Sequence, residues 1–219
     1  MGAADPGSSR GWYVPVVLFA VVLAGWVGAW LLNLVLTARY QTLGTECGFA
    51  YWLVARLIVW VLPAVWLLRH IGSSSGDAFR GASWRKTLAW GSGIGGVFVE
   101  VSVGVRIATG DWSPPGTSVV SWIDIAILAP VMEEFLIRGA ILAALGRRLP
   151  FWLANAVTAG LFVLLHVPGW YFSGTLPATL LNPVGGALAI LAVGVACGWA
   201  AKKGGLVAAI LVHFLNNAY

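Results

Sequence analysis

The sequence predicts an all-α, polytopic transmembrane bundle of about seven helices, and composition, run length and charge placement each point to it. Of 219 residues, 59% are hydrophobic and 10% charged, against roughly 25% charged in a soluble domain, and the mean hydropathy is +0.87. Crossing the ~30 Å hydrocarbon core takes about 20 apolar residues at ~1.5 Å each. Runs of that order fall at 12–38, 49–68, 87–108, 119–146, 151–170, 183–201 and 204–219. The 13 basic residues then sort by side. With a cytoplasmic N-terminus, Arg10, Arg69, Arg80, Arg85, Lys86, Arg147, Arg148, Lys202 and Lys203 lie on inner segments, Arg39 lies outside, and Arg56, Arg106 and Arg138 fall within spans. Every inner segment is basic, which is the positive-inside pattern, and a miscounted helix would scramble it. The net charge of +5 is thereby assigned to the bilayer and not to nucleic acid.

The whole chain, 1–219, reads as one integral membrane domain, with a Gly/Ser cytoplasmic tail at 1–11. The first apolar run is about twice the usual 7–15 residues of a signal peptide, so it is expected to be a retained helix. Residues 69–86, with Ser73, Ser74 and Ser75 between basic flanks, are expected to be a solvated cytoplasmic connector. The third span carries small residues at helical spacing (Gly91 and Gly95, Ser92 and Gly96), as does the sixth (Gly194 and Gly198), a pattern that lets helix backbones approach. The outer loops at 109–118 and 168–182 are rich in Pro, Gly and Trp, and most tryptophans are assigned to interfacial belts and packing. Cys47 and Cys197 fall near opposite membrane faces, which excludes a disulfide between them.

Three polar patches stand where charge is expensive. An ionisable side chain at the centre of a span costs roughly 2.5–3.5 kcal/mol even on mild insertion scales, so it is kept where it has a partner or a task. In the fourth span, Glu134 and Arg138 are four apart and share a helix face, which predicts an ion pair. Glu133 is turned about 100° away, which leaves it as the free base. In the fifth span, Phe162 and His166 stack at the same spacing, the ring orienting the imidazole. In the last span, His213 and Asn217 share a face, where imidazole and carboxamide can donate two convergent hydrogen bonds to an oxyanion, while Asn216 is expected to point elsewhere. Glu100 is a candidate to line the site with Arg56 as its partner, and Asp124 is read as hydrated near the outer end of its span.

The pattern Glu133-Glu134-x-x-x-Arg138, Phe162-x-x-x-His166 and His213-x-x-x-Asn217 resembles the three signature motifs of the CAAX protease and bacteriocin-processing family, also called Abi, whose eukaryotic members are the type II CAAX prenyl endopeptidases. The resemblance covers 119–219, the expected catalytic core. It implies an intramembrane endopeptidase acting on peptides or membrane-associated protein segments in the bilayer. Glu133 with His166 would activate water, and His213 with Asn217 would stabilise the oxyanion. Glu134, Arg138 and Phe162 would support the site. The same family is also described as metalloproteases, so Glu133, His166 and His213 form a possible zinc set. A metal-free glutamate base, needing no cofactor, is the competing reading. Some members carry an eighth span, so this chain is expected to be a short variant or to lack part of its last helix. The expected setting is multi-pass in a prokaryotic plasma membrane. A proton- or cation-coupled transporter and a non-catalytic immunity or scaffold protein are the alternatives.

Overall fold

A computed structural model describes residues 13–40, 45–80, 83–112, 118–182 and 185–218, and among these there is no strand. The tail at 1–11 lies outside the described residues. The helices are α1 (Tyr13–Tyr40), α2 (45–70), α3 (Ser75–Phe79), α4 (Trp84–Thr109), α5 (119–145), α6 (Phe151–Phe172), α7 (Leu176–Leu181), α8 (Ala187–Gly204) and α9 (Leu206–Ala218). α1, α2, α4, α6 and α8 are long and apolar enough to cross a membrane. Helix α5 adds a continuous helical path of about 40 Å at ~1.5 Å per residue. The seventh predicted span falls short. α9 has 13 described residues, about 20 Å, and it starts after Gly205, whose φ of +83° is a conformation that favours glycine.

Helix α5 is the axis of the bundle. Every residue from Phe135 to Leu142 is buried, as expected of a helix that meets protein on all sides. α2 and α6 flank it, α1 closes over both, and a main core of residues such as Trp26, Leu67, Leu136, Ile141 and Leu165 joins these four helices. A smaller core around Val193, Ala208 and Val212 joins α8 and α9 to α4. The small-residue rows set these approaches. A Cβ on Gly95 would lie 2.5 Å from Leu215 Cδ1 and one on Gly198 would lie 1.7 Å from Asn155 Oδ1, whereas one on Gly96 would meet nothing within 4 Å. Of the two rows in the third span, the Gly91 and Gly95 row is the one that packs.

Two elements correct the sequence reading. The 69–86 segment is more than a solvated connector. Ser74 and Asp77 form a reciprocal capping box at the start of α3, Phe79 stacks on Phe135 at 5.7 Å, and Arg147 donates to Ile71 O and Ser73 Oγ. The outer loop at 168–182 is largely helical, since α6 continues to Phe172 and α7 follows. Among the tryptophans, two take the expected packing role. Trp26 and Trp60 are buried between α1 and α2 with ring centroids 4.4 Å apart.

Candidate active site

Helix α5 departs from regular α geometry twice around the paired glutamates, over Asp124–Leu128 and Phe135–Leu142, where it widens to π-helical turns. The first widening has a cause in the sequence. Pro130 has no N–H, and its ring crowds the carbonyl four residues back. The preceding turn opens, and Ala129 N–H donates to Asp124 O, five residues back. The next carbonyl, Ile125 O, would need the N–H that Pro130 lacks. Asn217 of α9 supplies the missing donor, with Nδ2 3.0 Å from Ile125 O. Helix α2 repeats the device, with a π turn over Leu57–Val61 ahead of Pro63. Such widenings recur at functional sites.

The widened α5 carries Ile125, Ala129 and Glu133 on one face of a cavity of about 310 Å3, and Phe162, His166, His213, Asn217 and Arg56 complete its wall. A larger groove of about 620 Å3 between α1 and α2 is lined by aliphatic residues, Cys47 and Tyr51 and holds none of the expected site residues. The expected site residues Glu133, His166, His213 and Asn217 line the smaller cavity.

The two glutamates divide as their spacing suggests. Glu134 is fully buried, and its Oε1 accepts from Arg138 Nη1 at 2.8 Å. Arg138 is held further by Gly194 O, 2.6 Å from Nη2, and its guanidinium lies 4.6 Å over the Phe162 ring. The same Glu134 Oε1 takes His213 Nδ1–H at 2.9 Å, a contact that no short-range spacing in the sequence announces. With Nδ1 so engaged, His213 turns Nε2 toward Glu133, whose Oε2 is 3.8 Å away. That is beyond hydrogen-bond reach, and among the described residues Glu133 has no tight partner on the cavity wall. His166 Nδ1–H donates to Phe162 O at 2.8 Å. Since a carbonyl only accepts, the bond fixes the proton on Nδ1 and leaves Nε2 as an acceptor in the neutral ring. Phe162 sits edge-on to both imidazoles, with centroids 4.8 Å from His166 and 5.4 Å from His213.

Asn216 does not point elsewhere. It lines the cavity and donates Nδ2 to Asn217 Oδ1 at 3.0 Å. Neighbours on a helix are about 100° apart, and a cavity that reaches the end of α9 takes in both. Arg56 pairs with Asp124 and not with Glu100, and Asp124 is therefore an ion-pair partner, not a merely hydrated carboxylate. Glu100 is exposed on α4, away from the cavity. The long sequence distance from Arg56 to Asp124 hid that pair.

The expected zinc donors are not grouped as a metal site. Among the described residues, no three His, Cys, Asp or Glu side chains are placed to hold one ion, and Glu134 is committed to Arg138 and His213. As placed, the donor set does not fit a metal.

Residues 115–219 match the family model described as Type II CAAX prenyl endopeptidase Rce1-like. No curated protein and no solved structure matches the chain. The matched segment takes in all three polar patches and the helices that bring them to one cavity. Residues 115–219 are thus an Rce1-like segment, similar to type II CAAX prenyl endopeptidases, in a chain with five helices long and apolar enough to cross a membrane.

Proposed function

We propose that the protein is an intramembrane endopeptidase of the glutamate type, hydrolysing peptide bonds of peptides or membrane-associated protein segments without a bound metal. One observation carries this reading: of the two adjacent carboxylates, Glu133 is the one on the cavity wall and, among the described residues, free of tight bonds, while Glu134 is locked beneath it.

Glu133 takes a proton from a water that His166 Nε2 helps to hold, and the hydroxide forms a C–O bond to the scissile carbonyl. The negative charge that develops on the carbonyl oxygen meets His213 and Asn217. In this cycle His213 acts as the imidazolium, with Nδ1–H kept on Glu134 and Nε2–H donated to the oxyanion. Asn217 spends one Nδ2–H on Ile125 O and keeps the second for the same oxygen. Collapse breaks the C–N bond, and protonated Glu133 returns its proton to the leaving amine. The products are a carboxylate and a free amine terminus. Donors held in place before the charge appears are the largest single source of rate in such sites.

The same residues would serve clients with or without a prenyl group, in a plasma membrane with the N-terminus cytoplasmic. The test is cleavage of quenched fluorescent peptides by the purified chain in lipid nanodiscs, with and without a chelator. Chelator-resistant cleavage that is lost in Glu133→Gln is the expected result. Loss of cleavage on chelation, restored by Zn²⁺, overturns the metal-free reading, and a folded wild type that cleaves nothing overturns the peptidase reading.

A further inference from the structure

The cavity wall contains a guanidinium that the hydrolytic chemistry does not use. Arg56 of α2 lines the cavity, and its side chain keeps 12% of its surface exposed. Nη1 donates to Asp124 of α5. Nε is buried without a partner, and among the described residues Nη2 has none either. Five N–H donors in a fixed fork are thus served by one carboxylate oxygen. The half-buried guanidinium, which also lies 5.7 Å over the Trp60 ring, has capacity for a second acceptor.

Position says what that acceptor belongs to. The cavity face of α5 runs from Ile125, next to Asp124, through Ala129 to Glu133. At ~1.5 Å per residue these ends are about 12 Å apart. An extended peptide rises ~3.3 Å per residue, so three or four residues bridge them. Apart from Asp124, which is engaged by Arg56, the polar groups at the Ile125 end are neutral, and Asn216 and Asn217 bond to each other and to Ile125 O. Arg56 is the group there equipped for charge.

We propose that Arg56 is a specificity-determining residue, whose free guanidinium edge anchors a carboxylate of the substrate three or four residues from the bond that Glu133 attacks. This rests on the peptidase reading above. The carboxylate is either the α-carboxylate of a peptide ending at that distance or an acidic side chain. A guanidinium receives both in the same planar, charge-assisted geometry. Asp124 holds the fork in place and leaves its other edge to the ligand.

The experiment uses the full chain in nanodiscs and one quenched peptide in four forms. Two end four residues beyond the scissile bond, as free acid or amide. Two are longer and amidated, with Glu or Gln at that position. An acid form with a KM about tenfold or more below its neutral twin, and kcat within about twofold, is the expected result, and which pair shows it identifies the source. Arg56→Gln should erase the difference and Arg56→Lys restore part of it. The double variant Arg56→Gln/Asp124→Asn leaves no unpaired charge and reads the same loss if the single variant folds poorly. Equal kcat/KM for acid and neutral twins, or a preference that survives in Arg56→Gln or the double variant, overturns the subsite while leaving the peptidase intact. A folded wild type that cleaves none of the four removes the subsite together with the peptidase reading.

Discussion

His213 Nδ1 lies 2.9 Å from Glu134 Oε1, the same oxygen that takes Arg138 Nη1 at 2.8 Å. One buried carboxylate thus joins the cation that neutralises it to an imidazole on another helix. In the proposed mechanism Glu134 is therefore a positioning residue as well as a structural one. Glu134→Gln should remove both functions, destabilising by about 3–5 kcal/mol because Arg138 is stranded in low dielectric. Replacing the pair with apolar side chains, Glu134→Leu with Arg138→Met, should return most of the thermal stability and little of the activity. Restored cleavage in the double variant would confine Glu134 to a structural role.

Glu133 has the opposite profile. Its nearest ionisable partner is at 3.8 Å, so Glu133→Gln should leave the melting temperature near that of wild type. The rate should fall by about 10²–10⁴, the usual worth of a positioned base. Full activity in the purified variant excludes Glu133 as the base.

What could be read in advance follows the physics of range. The pairs four apart on one helix, Glu134 with Arg138 and Phe162 with His166, were legible because helical geometry alone brings them together. The Arg56–Asp124 pair and the Glu134–His213 bond are 68 and 79 residues apart in sequence. No local period encodes such contacts, and Arg56 was accordingly assigned to the wrong carboxylate. The place of Asn216 was missed because a helix face judged alone says nothing of how far a cavity extends around it. The widened turn before Pro130 was legible in principle from the missing N–H. The wider turn over Phe135–Leu142 contains no proline, and nothing in its sequence accounts for it.

The packing rows make a separate test. Gly198→Ala forces a Cβ to within 1.7 Å of Asn155 Oδ1 and Gly95→Ala to within 2.5 Å of Leu215 Cδ1, while Gly96→Ala meets open space. Overpacking of this kind costs about 1–3 kcal/mol, more where a buried amide must move. Thermal melts should rank Gly198→Ala lowest, Gly95→Ala next, and Gly96→Ala at or above wild type, since alanine is the better helix former. Equal melting temperatures for the three would refute the α6–α8 and α4–α9 approaches.

Asp77 gives the basic end of the bundle a pH dependence. The hydroxyl and backbone N–H of Ser74 bond its carboxylate and hold its pKa below the ordinary value, with Arg80 adding to the effect. A depressed carboxylate stabilises the fold above its unfolded pKa, and that contribution fades as pH falls through the folded one. Acidification below the usual carboxylate range should therefore loosen α3 before the buried bundle, and Ser74→Ala should move the loosening to higher pH. Amide exchange of residues 75–79 followed against pH measures it, and an unchanged profile in Ser74→Ala would count against the cap.

Asn217 holds Ile125 O and is also assigned to the oxyanion, and a simple deletion confounds the two roles. Asn217→Ala should lower kcat by about 10²–10³, the loss of one preorganised donor. It should also destabilise by about 1–3 kcal/mol through the orphaned carbonyl. Pro130→Ala separates these effects, because it returns to α5 a backbone N–H and lets the turn satisfy Ile125 O internally. In the four-member cycle of wild type, Asn217→Ala, Pro130→Ala and the double variant, the stability effects should be strongly non-additive, since both substitutions act on one carbonyl. The effect of Asn217→Ala on kcat should stay at about 10²–10³ in either background, because no backbone bond within α5 replaces a donor to the oxyanion. If Pro130→Ala rescues rate and stability together, Asn217 serves only to satisfy Ile125 O, and His213 is left as the sole oxyanion donor among the residues assigned to that role.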